Sequence, residues 1–540
     1  MMRGDNAQNR SGSSRMATEA ELEKAGLFTK LPHSIFVGFF NGRPVYFHGP
    51  AGMTLTAGAR GGKLRDMIAY NLLSGTCMSN IVMLDPKLEG YAISANQTAD
   101  KKFIAVWNPA GLNGALQDRI DPLPTLKIEN PHLISDLSML WENLIPPSQG
   151  NNTRYFEGNA QRLGEALSLA LVEIRGQLTF PDLYDAVILL MGGGDDWLDL
   201  AYHMRHSRFP EVRAAEREIH AGRKDSSGGF KGIVGELALA LSAFKSRELR
   251  ASVSPPFTFC LTSLLDPDQR WQLYLGPPVQ MLSKWAPAIK AILVSLTLLK
   301  SREPSTPRTI MFLDEVGQLT AGGNGSFPLI PQLYTYGAGG WGITPVAVLQ
   351  SNRQLRAFGP EAESLIMSSA AAKMAFAVRD LDSAKDWSAY MGMQSLRYDD
   401  RLAQERARFA RDEAFYSLLN GADPVLVGLQ LAQKSYETTH QSVVQRPLAM
   451  PEEIINMSND AAIFLHEDVS YPIMLQRRPY WTQRNLAGRF LPNPYHPPLD
   501  RVSVMTRWGM RTRKVVTEPV PARFAHYPQY RDGTWTRVVM

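Results

Sequence analysis

The sequence predicts an α/β fold with a mostly parallel sheet covered on both faces. Short apolar runs alternate with stretches of helical spacing. Several of the runs end on polar side chains, where an open α/β sheet places its ligand. The run "SNIVMLDPK" (79–87) ends at Asp85, "RTIMFLDEVGQL" (308–319) at Asp314-Glu315, and "ITPVAVLQS" (343–351) at Gln350-Ser351. "AKMAFAVRD" (372–380) and "DAAIFLHED" (460–468) are further strand candidates. Near-continuous apolar runs of this length suit strands buried on both faces.

The middle of the chain differs. "NAQRLGEALSLALVEI", "FPDLYDAVILLM" and "GFKGIVGELALALSAF" have helical spacing and are separated by "MGGGDD" and "KDSSGG". Asp195-Asp196 after the glycines, and Glu452-Glu453 after Pro451, read as first turns of helices. The reading is therefore a polar lead-in (1–30), a first part of the α/β domain (31–150), an all-α insertion (151–250), a second part of the α/β domain (251–475) and a basic, aromatic, Pro-containing tail (476–540). From Arg477 the tail holds 11 Arg and 1 Lys against 2 Asp and 1 Glu, so its charge of 12 − 3 = +9 exceeds the +5 of the whole chain. The tail reads as a surface segment without a compact fold of its own. Its aromatics either pack on a neighbouring domain or stack on nucleic-acid bases.

Composition narrows the class. The chain has 540 residues, 44% of them hydrophobic, enough for more than one core. Its mild basicity permits an anionic partner without requiring one. Two cysteines, Cys77 and Cys260, are too few for a disulfide framework or a zinc site, and the ten histidines show no metal-ligand spacing. No run reaches the ~18–20 apolar residues needed to span a bilayer. "WAPAIKAILVSLTLL" is interrupted by Pro287 and Lys290 and reads as a core helix. The polar start, "MMRGDNAQNRSGSSR", is not a secretory signal. A cytosolic setting is expected, with any membrane contact made through partners.

The stretch "AGARGGKLRDM" (57–67) carries the candidate chemistry. It departs from G-x-x-x-x-G-K-[ST] at both ends, with Ala57 in place of the first glycine and Leu64 in place of a Mg2+-binding hydroxyl. Gly58, Ala59, Arg60, Gly61 and Gly62 supply small or turn-forming residues whose N–H groups can close on phosphate oxygens, and Lys63 can reach the β/γ-phosphates. "MTLTAG" before the loop and "LRDMIAYNLLSG" after it give strand–loop–helix. "TIMFLDE" adds a Walker B arrangement: Asp314 to hold Mg2+ through water and Glu315 to polarise the attacking water. Both together point to an ATP site.

With these residues in place the chain resembles the type IV coupling proteins, the TraG/TraD-like ATPases of conjugation and type IV secretion. "GSSRMATEAELEKAGLF" (12–28) resembles the lead-in of that family and "AGARGGKL" its phosphate loop. "VMLDPKLEGYAISA" (82–95), "FLDEVGQL", "VLQSNRQLRAFG" (348–359) and "RPLAMPEEIINMSNDAAIFL" (446–465) resemble later segments in the same order. The resemblance implies a RecA-like P-loop domain with an all-α insertion, assembled as a homo-hexamer at the cytoplasmic face of a bacterial inner membrane. It implies ATP and Mg2+ as cofactors, a relaxase–DNA substrate, and secretion-channel components as partners. Gln350 would sense the γ-phosphate and Asp85 would lie near the same pocket.

Three departures from the family pattern bear on activity. Leu64 cannot bind Mg2+. Gly339 stands where many relatives carry an arginine, leaving Arg353, Arg356 or Arg379 as substitutes. The usual N-terminal transmembrane pair is not in this sequence. Beside a DNA-translocating ATPase, two other readings stay open: a catalytically weak nucleotide-binding receptor of the same machinery, and a related motor acting on DNA outside secretion.

Overall fold

A strand covered on both faces sends alternate side chains into two separate cores. The central strands do this in the computed structural model, which describes residues 14–49, 51–73, 77–96, 102–148, 151–224, 228–321, 325–399, 401–419, 423, 425–429, 432 and 441–540. Val82 and Leu84 join one apolar cluster, Ile81 and Met83 the other; Met311 and Leu313 oppose Ile310 and Phe312 in the same way.

These strands belong to one eleven-stranded sheet. In chain order it contains β1 (Ile35–Phe40), β2 (Arg43–Phe47), β3 (Met53–Ala57), β4 (Asn80–Leu84), β5 (Phe103–Trp107), β6 (Trp271–Leu275), β7 (Thr309–Asp314), β8 (Ile343–Leu349), β9 (Ala372–Phe376), β10 (Ala461–His466) and β11 (Val469–Gln476). Across the sheet the order is β2-β1-β11-β10-β9-β3-β8-β7-β4-β6-β5. From β9 to β5 every pairing is parallel. The remaining four strands pair antiparallel at one edge. The run at 460–468 is thus a strand, but an antiparallel one. Glu467 and Asp468 return the chain directly into β11, and a connection that short allows only an antiparallel partner.

Between β5 and β6 the chain is mainly helical, with helices Leu133–Leu144, Asn151–Arg175, Phe180–Gly192, Asp195–Arg205, Pro210–Gly222, Gly229–Ala240 and Arg247–Ser252. Thr179 caps the third, its Oγ1 accepting from the Asp182 N–H at 3.2 Å, and Pro181 lies in its first turn. Asp195-Asp196 and Glu452-Glu453 do occupy helix first turns. The helix Ala286–Arg302 is buried along most of its length, Lys290 included. Among the described residues no helix is long and apolar enough to cross a membrane. Cys77 and Cys260 are free thiols.

The tail is more ordered than its composition suggests. Residues 501–538 contain a three-stranded antiparallel sheet, β12 (Arg501–Thr506), β13 (Gly509–Pro519) and β14 (Thr534–Val538). Val502, Val504 and Val538 pack with Tyr480, Phe490, Phe36 and Tyr70 in one cluster. The Gln529 amide accepts from the Ile104 N–H at 3.2 Å and donates to the Lys102 carbonyl at 2.9 Å, so it caps the exposed edge of β5. Prolines and arginines masked this in sequence, because the strands alternate only on one face.

Candidate functional site

All five residues of β3 are buried, and the chain leaves its carboxyl end through Gly58. The loop that follows is tightly specified. The Gly58 N–H donates to the Ala377 carbonyl at 3.2 Å, and a Cβ on Gly58 would lie 2.4 Å from that oxygen. The Gly61 N–H donates to the Gly58 carbonyl at 2.9 Å, and a Cβ on Gly61 would lie 2.8 Å from it. Gly62 has φ +88°, and a Cβ there would meet Asp66 Oδ2 at 2.7 Å. Gly58 and Gly61 are therefore needed by close backbone approach and Gly62 by its positive φ, which a plain surface turn does not demand at three neighbouring positions. Ala59 and Arg60 form the exposed crest. Ala57, by contrast, is a buried strand residue and has no need to be glycine.

The helix after the loop opens with a π-helical turn, Leu64–Ile68, before α-helical Ala69–Leu72. Such wide turns recur at functional sites. The Leu64 side chain is half-buried and packs against two apolar clusters. A hydrocarbon therefore occupies the position of a metal-binding hydroxyl.

Lys63 reaches across the sheet. Its Nζ donates to Asp314 Oδ1 at 2.8 Å and lies 3.5 Å from Glu315 Oε1. The Glu315 carboxylate in turn accepts from Gln350 Nε2 at 2.9 and 3.2 Å. The strand order explains the meeting, since β7, β8 and β3 are consecutive and all end at this edge. Burial pushes the Asp314 carboxyl above its ordinary value against the pull of Lys63, and the Glu315 charge adds to the rise. Burial also works to lower Lys63, but Asp314 and Glu315 outweigh it and the ammonium is held above its ordinary value.

Backbone strain collects at the same edge. Among the described residues six non-glycine positions have positive φ, and four of them, Arg60, Leu88, Glu315 and Ala377, follow β3, β4, β7 and β9. Each such residue costs roughly 1–3 kcal/mol, which is sustained where the surroundings fix it.

Asp85 is buried just beyond β4, and its two oxygens accept from the Glu89 and Tyr91 N–H groups at 3.1 Å each. It is thereby committed to the helix Glu89–Ser94. Burial, with a smaller contribution from Asp314, pushes its carboxyl up to about 7. A folded-state value above the unfolded one means that the native protein holds the proton more tightly. The stability contribution is therefore largest below about pH 4 and is lost as pH rises through 7. We expect the urea midpoint to fall between pH 5 and pH 8, and Asp85→Asn to flatten that dependence.

Two of the three arginine candidates are paired elsewhere. Arg353 pairs with Asp382 at 2.7 Å and Arg356 with Glu363, all near the surface. Gly339 is exposed in the short helix Ala338–Gly340. Arg379 does approach the loop, its Cδ 3.6 Å from where a Gly58 Cβ would be.

Sequence reading missed the support behind the loop. Arg477, at the end of β11, is buried; its Nη1 donates to the Gly61 carbonyl at 2.6 Å and to Asp66 Oδ2 at 2.9 Å. Its Nε donates to the Ala461 carbonyl at 3.1 Å, and its guanidinium stacks 4.0 Å from the Phe376 ring. Asn352 Oδ1 accepts from Thr56 Oγ1 at 2.6 Å and ties the segment after Gln350 to β3. No local pattern marks Arg477, which the sequence presents as one more tail arginine.

Residues 8–413 match the family model described as type IV secretory system conjugative DNA transfer. The chain belongs to that family. The match stops before the last 127 residues, 540 − 413. None of the curated proteins compared with the chain matches it. Among solved structures, the bacterial conjugative coupling protein TrwBdeltaN70 in its unbound monoclinic form aligns at TM-score 0.59 with 16% identity, over 86% of this chain and 92% of that one. The plasmid coupling protein TrwB in complex with ADP and Mg2+ aligns at TM-score 0.57 with 15% identity, over 86% and 93%. Its complex with the non-hydrolysable ATP analogue ADPNP gives TM-score 0.56 at 15% identity over the same shares. At these identities the likeness shows the fold: a RecA-type α/β sheet with a helical region. The chain is thus a member of the conjugative DNA transfer family with the fold of TrwB.

Proposed function

We propose that this chain is an ATP-driven coupling protein. It receives a relaxase–DNA substrate and drives it into a type IV secretion channel, acting as a homo-hexamer at the cytoplasmic face of the inner membrane with membrane contact through partners. The observation that carries this reading is the bonded series Lys63–Asp314/Glu315–Gln350 at the carboxyl ends of parallel strands.

The residues suit a nucleotide triphosphate with Mg2+. Gly58, Gly61 and Gly62 form a cradle that a Cβ would obstruct. Asp314 is a carboxylate oxygen donor, and a metal of this kind is commonly held by one or two carboxylates with phosphate and water completing the shell. Among the described residues no larger ligand cluster competes for that role. Mg2+ held there would neutralise charge on the β- and γ-phosphates.

In this reading Lys63 exchanges its carboxylate partners for phosphate oxygens when nucleotide enters. Glu315 is then released to polarise the attacking water, and Gln350 remains on Glu315 and reads the γ-phosphate. Of Arg353, Arg356 and Arg379, Arg379 is the one whose side chain approaches the loop. The fold's relative TrwB is described in complex with ADP and Mg2+, which agrees with the proposed ligands.

We expect Lys63→Ala to abolish ATP binding measured by equilibrium dialysis with Mg2+, a loss of at least about 100-fold for a charge-assisted phosphate contact of about 3 kcal/mol. Unchanged affinity would remove the site from this account. The second reading, a receptor with slow turnover, is favoured by the packed Leu64 and by the exposed glycine at 339. It keeps binding and loses turnover.

A further inference from the structure

The structure divides the tail's aromatic residues into two groups. Tyr480, Phe490, Tyr527 and Tyr530 are buried, and Trp535 donates from Nε1 to Glu518 Oε1 at 3.2 Å. Trp508 does neither: it is 70% exposed at the crest of the β12–β13 hairpin. The hairpin is well defined. Its register runs from Arg501↔Lys514 to Thr506↔Gly509, leaving Arg507-Trp508 as the two-residue turn. Thr506 Oγ1 donates to the Gly509 carbonyl at 2.8 Å and accepts from the Trp508 N–H at 3.2 Å, and Gly509 takes φ +93°. The exposure of Trp508 is thus imposed by a specific turn.

The charge on this hairpin is one-sided. Residues 501–517 contain Arg501, Arg507, Arg511, Arg513 and Lys514 and no carboxylate. Arg501 pairs with Asp500 at 2.9 Å. Arg507 lies 4.4 Å over the Trp508 ring, and neither it nor Arg511 has an ion pair among the described residues. Ser503 and Thr512 face each other across the strands, both exposed, and add hydroxyl donors beside the cations.

We propose that this hairpin is a binding site for single-stranded nucleic acid, with an unpaired base stacked on Trp508 and phosphates on Arg507 and Arg511. An aromatic platform flanked by cations is the chemistry that holds a single strand without reading its sequence. An anionic membrane surface attracts the same residue types. It would call for a wider apolar crest than Trp508 and the 43%-exposed Met510, and the hydroxyl row favours phosphodiester. The hairpin lies beyond residue 413, outside the family match, so the site is an addition to the part of the chain that match covers. The proposal takes only the choice of DNA as probe from the coupling-protein reading.

The test is fluorescence anisotropy of a labelled oligothymidylate of about 20 nucleotides, longer than the roughly 4–16 that one single-strand site occupies. It uses the full chain without nucleotide, so a dead ATP site leaves the result unaffected. Trp508→Ala is expected to weaken binding about tenfold, with Trp508→Phe retaining most of it. The Arg507→Ala, Arg511→Ala double variant is expected to weaken binding and to flatten the log–log salt slope by about 1.4, from two lost phosphate contacts. Equal Tm values for the variants and the parent verify the fold. Parent protein that does not bind, or affinity unchanged in both variants, overturns the proposal. So does DNA affinity that is retained while binding to phosphatidylserine-containing vesicles is lost, which would assign the hairpin to a membrane surface.

Discussion

Arg477→Ala is expected to lower the unfolding free energy by about 3–5 kcal/mol, the cost of breaking a buried ion pair from one side. Arg477 and Asp66 are both nearly inaccessible, with side chains 2% and 1% exposed. The substitution strips Asp66 of its buried partner, leaving it only the half-exposed Arg65. It also leaves the carbonyls of Gly61, Asn459 and Ala461 without this donor. Arg477→Lys keeps the charge but has no planar fork to reach four acceptors, so an intermediate loss is expected. Urea unfolding gives both values. Because Gly61 belongs to the phosphate loop, ATP affinity is expected to fall with Arg477→Ala as well. A combined Arg477→Met, Asp66→Leu variant should recover only the part of the loss that comes from the stranded Asp66 charge, since methionine supplies no donor to the three carbonyls.

Glu315→Gln is expected to reduce ATP turnover by about 10²–10⁴-fold, the usual contribution of a positioned general base. ATP affinity should change little, because Lys63 and the loop glycines are untouched. Global stability should hold or rise slightly. Glu315 adds to the charge repulsion at Asp314, and a glutamine oxygen still accepts from Gln350 Nε2. Single-turnover hydrolysis beside urea unfolding separates the two effects. A parallel loss of affinity and rate would make Glu315 a binding residue.

The parallel centre of the sheet was legible because its strands are buried on both faces and end in chemistry. β3, β4, β7, β8 and β9 all read as apolar runs, four of them with Gly58, Asp85, Asp314-Glu315 or Gln350 at or just past their ends. β1, β2, β5, β6 and β11 did not stand out. β2 begins with two exposed residues, β11 mixes buried and exposed positions and contains Pro472, and "WQLYL" and "FIAVW" are followed by no acidic or glycine-rich motif of the kind that marks β3 and β7. At the site, the motif residues that meet were readable from their types. The residues that hold them, Arg477, Asp66, Asn352 and Ala377, were not. Their roles depend on contacts over hundreds of residues, such as Arg477 to Gly61, or on a backbone angle, such as the φ of +50° at Ala377. No local spacing encodes either. The tail misled for a similar reason: Val502, Val504 and Val538 gain their partners only when three strands assemble against Tyr70 and Tyr480.

Lys63, Asp314, Glu315 and Gln350 are proposed to form a working ATP site coupled to DNA. The direct test is steady-state ATP hydrolysis by the purified chain, with and without single-stranded DNA, beside Lys63→Ala. Turnover is expected to rise with DNA and to disappear in the variant. ATP binding that depends on Lys63, with no turnover under either condition, would contradict the motor and leave a nucleotide-binding receptor.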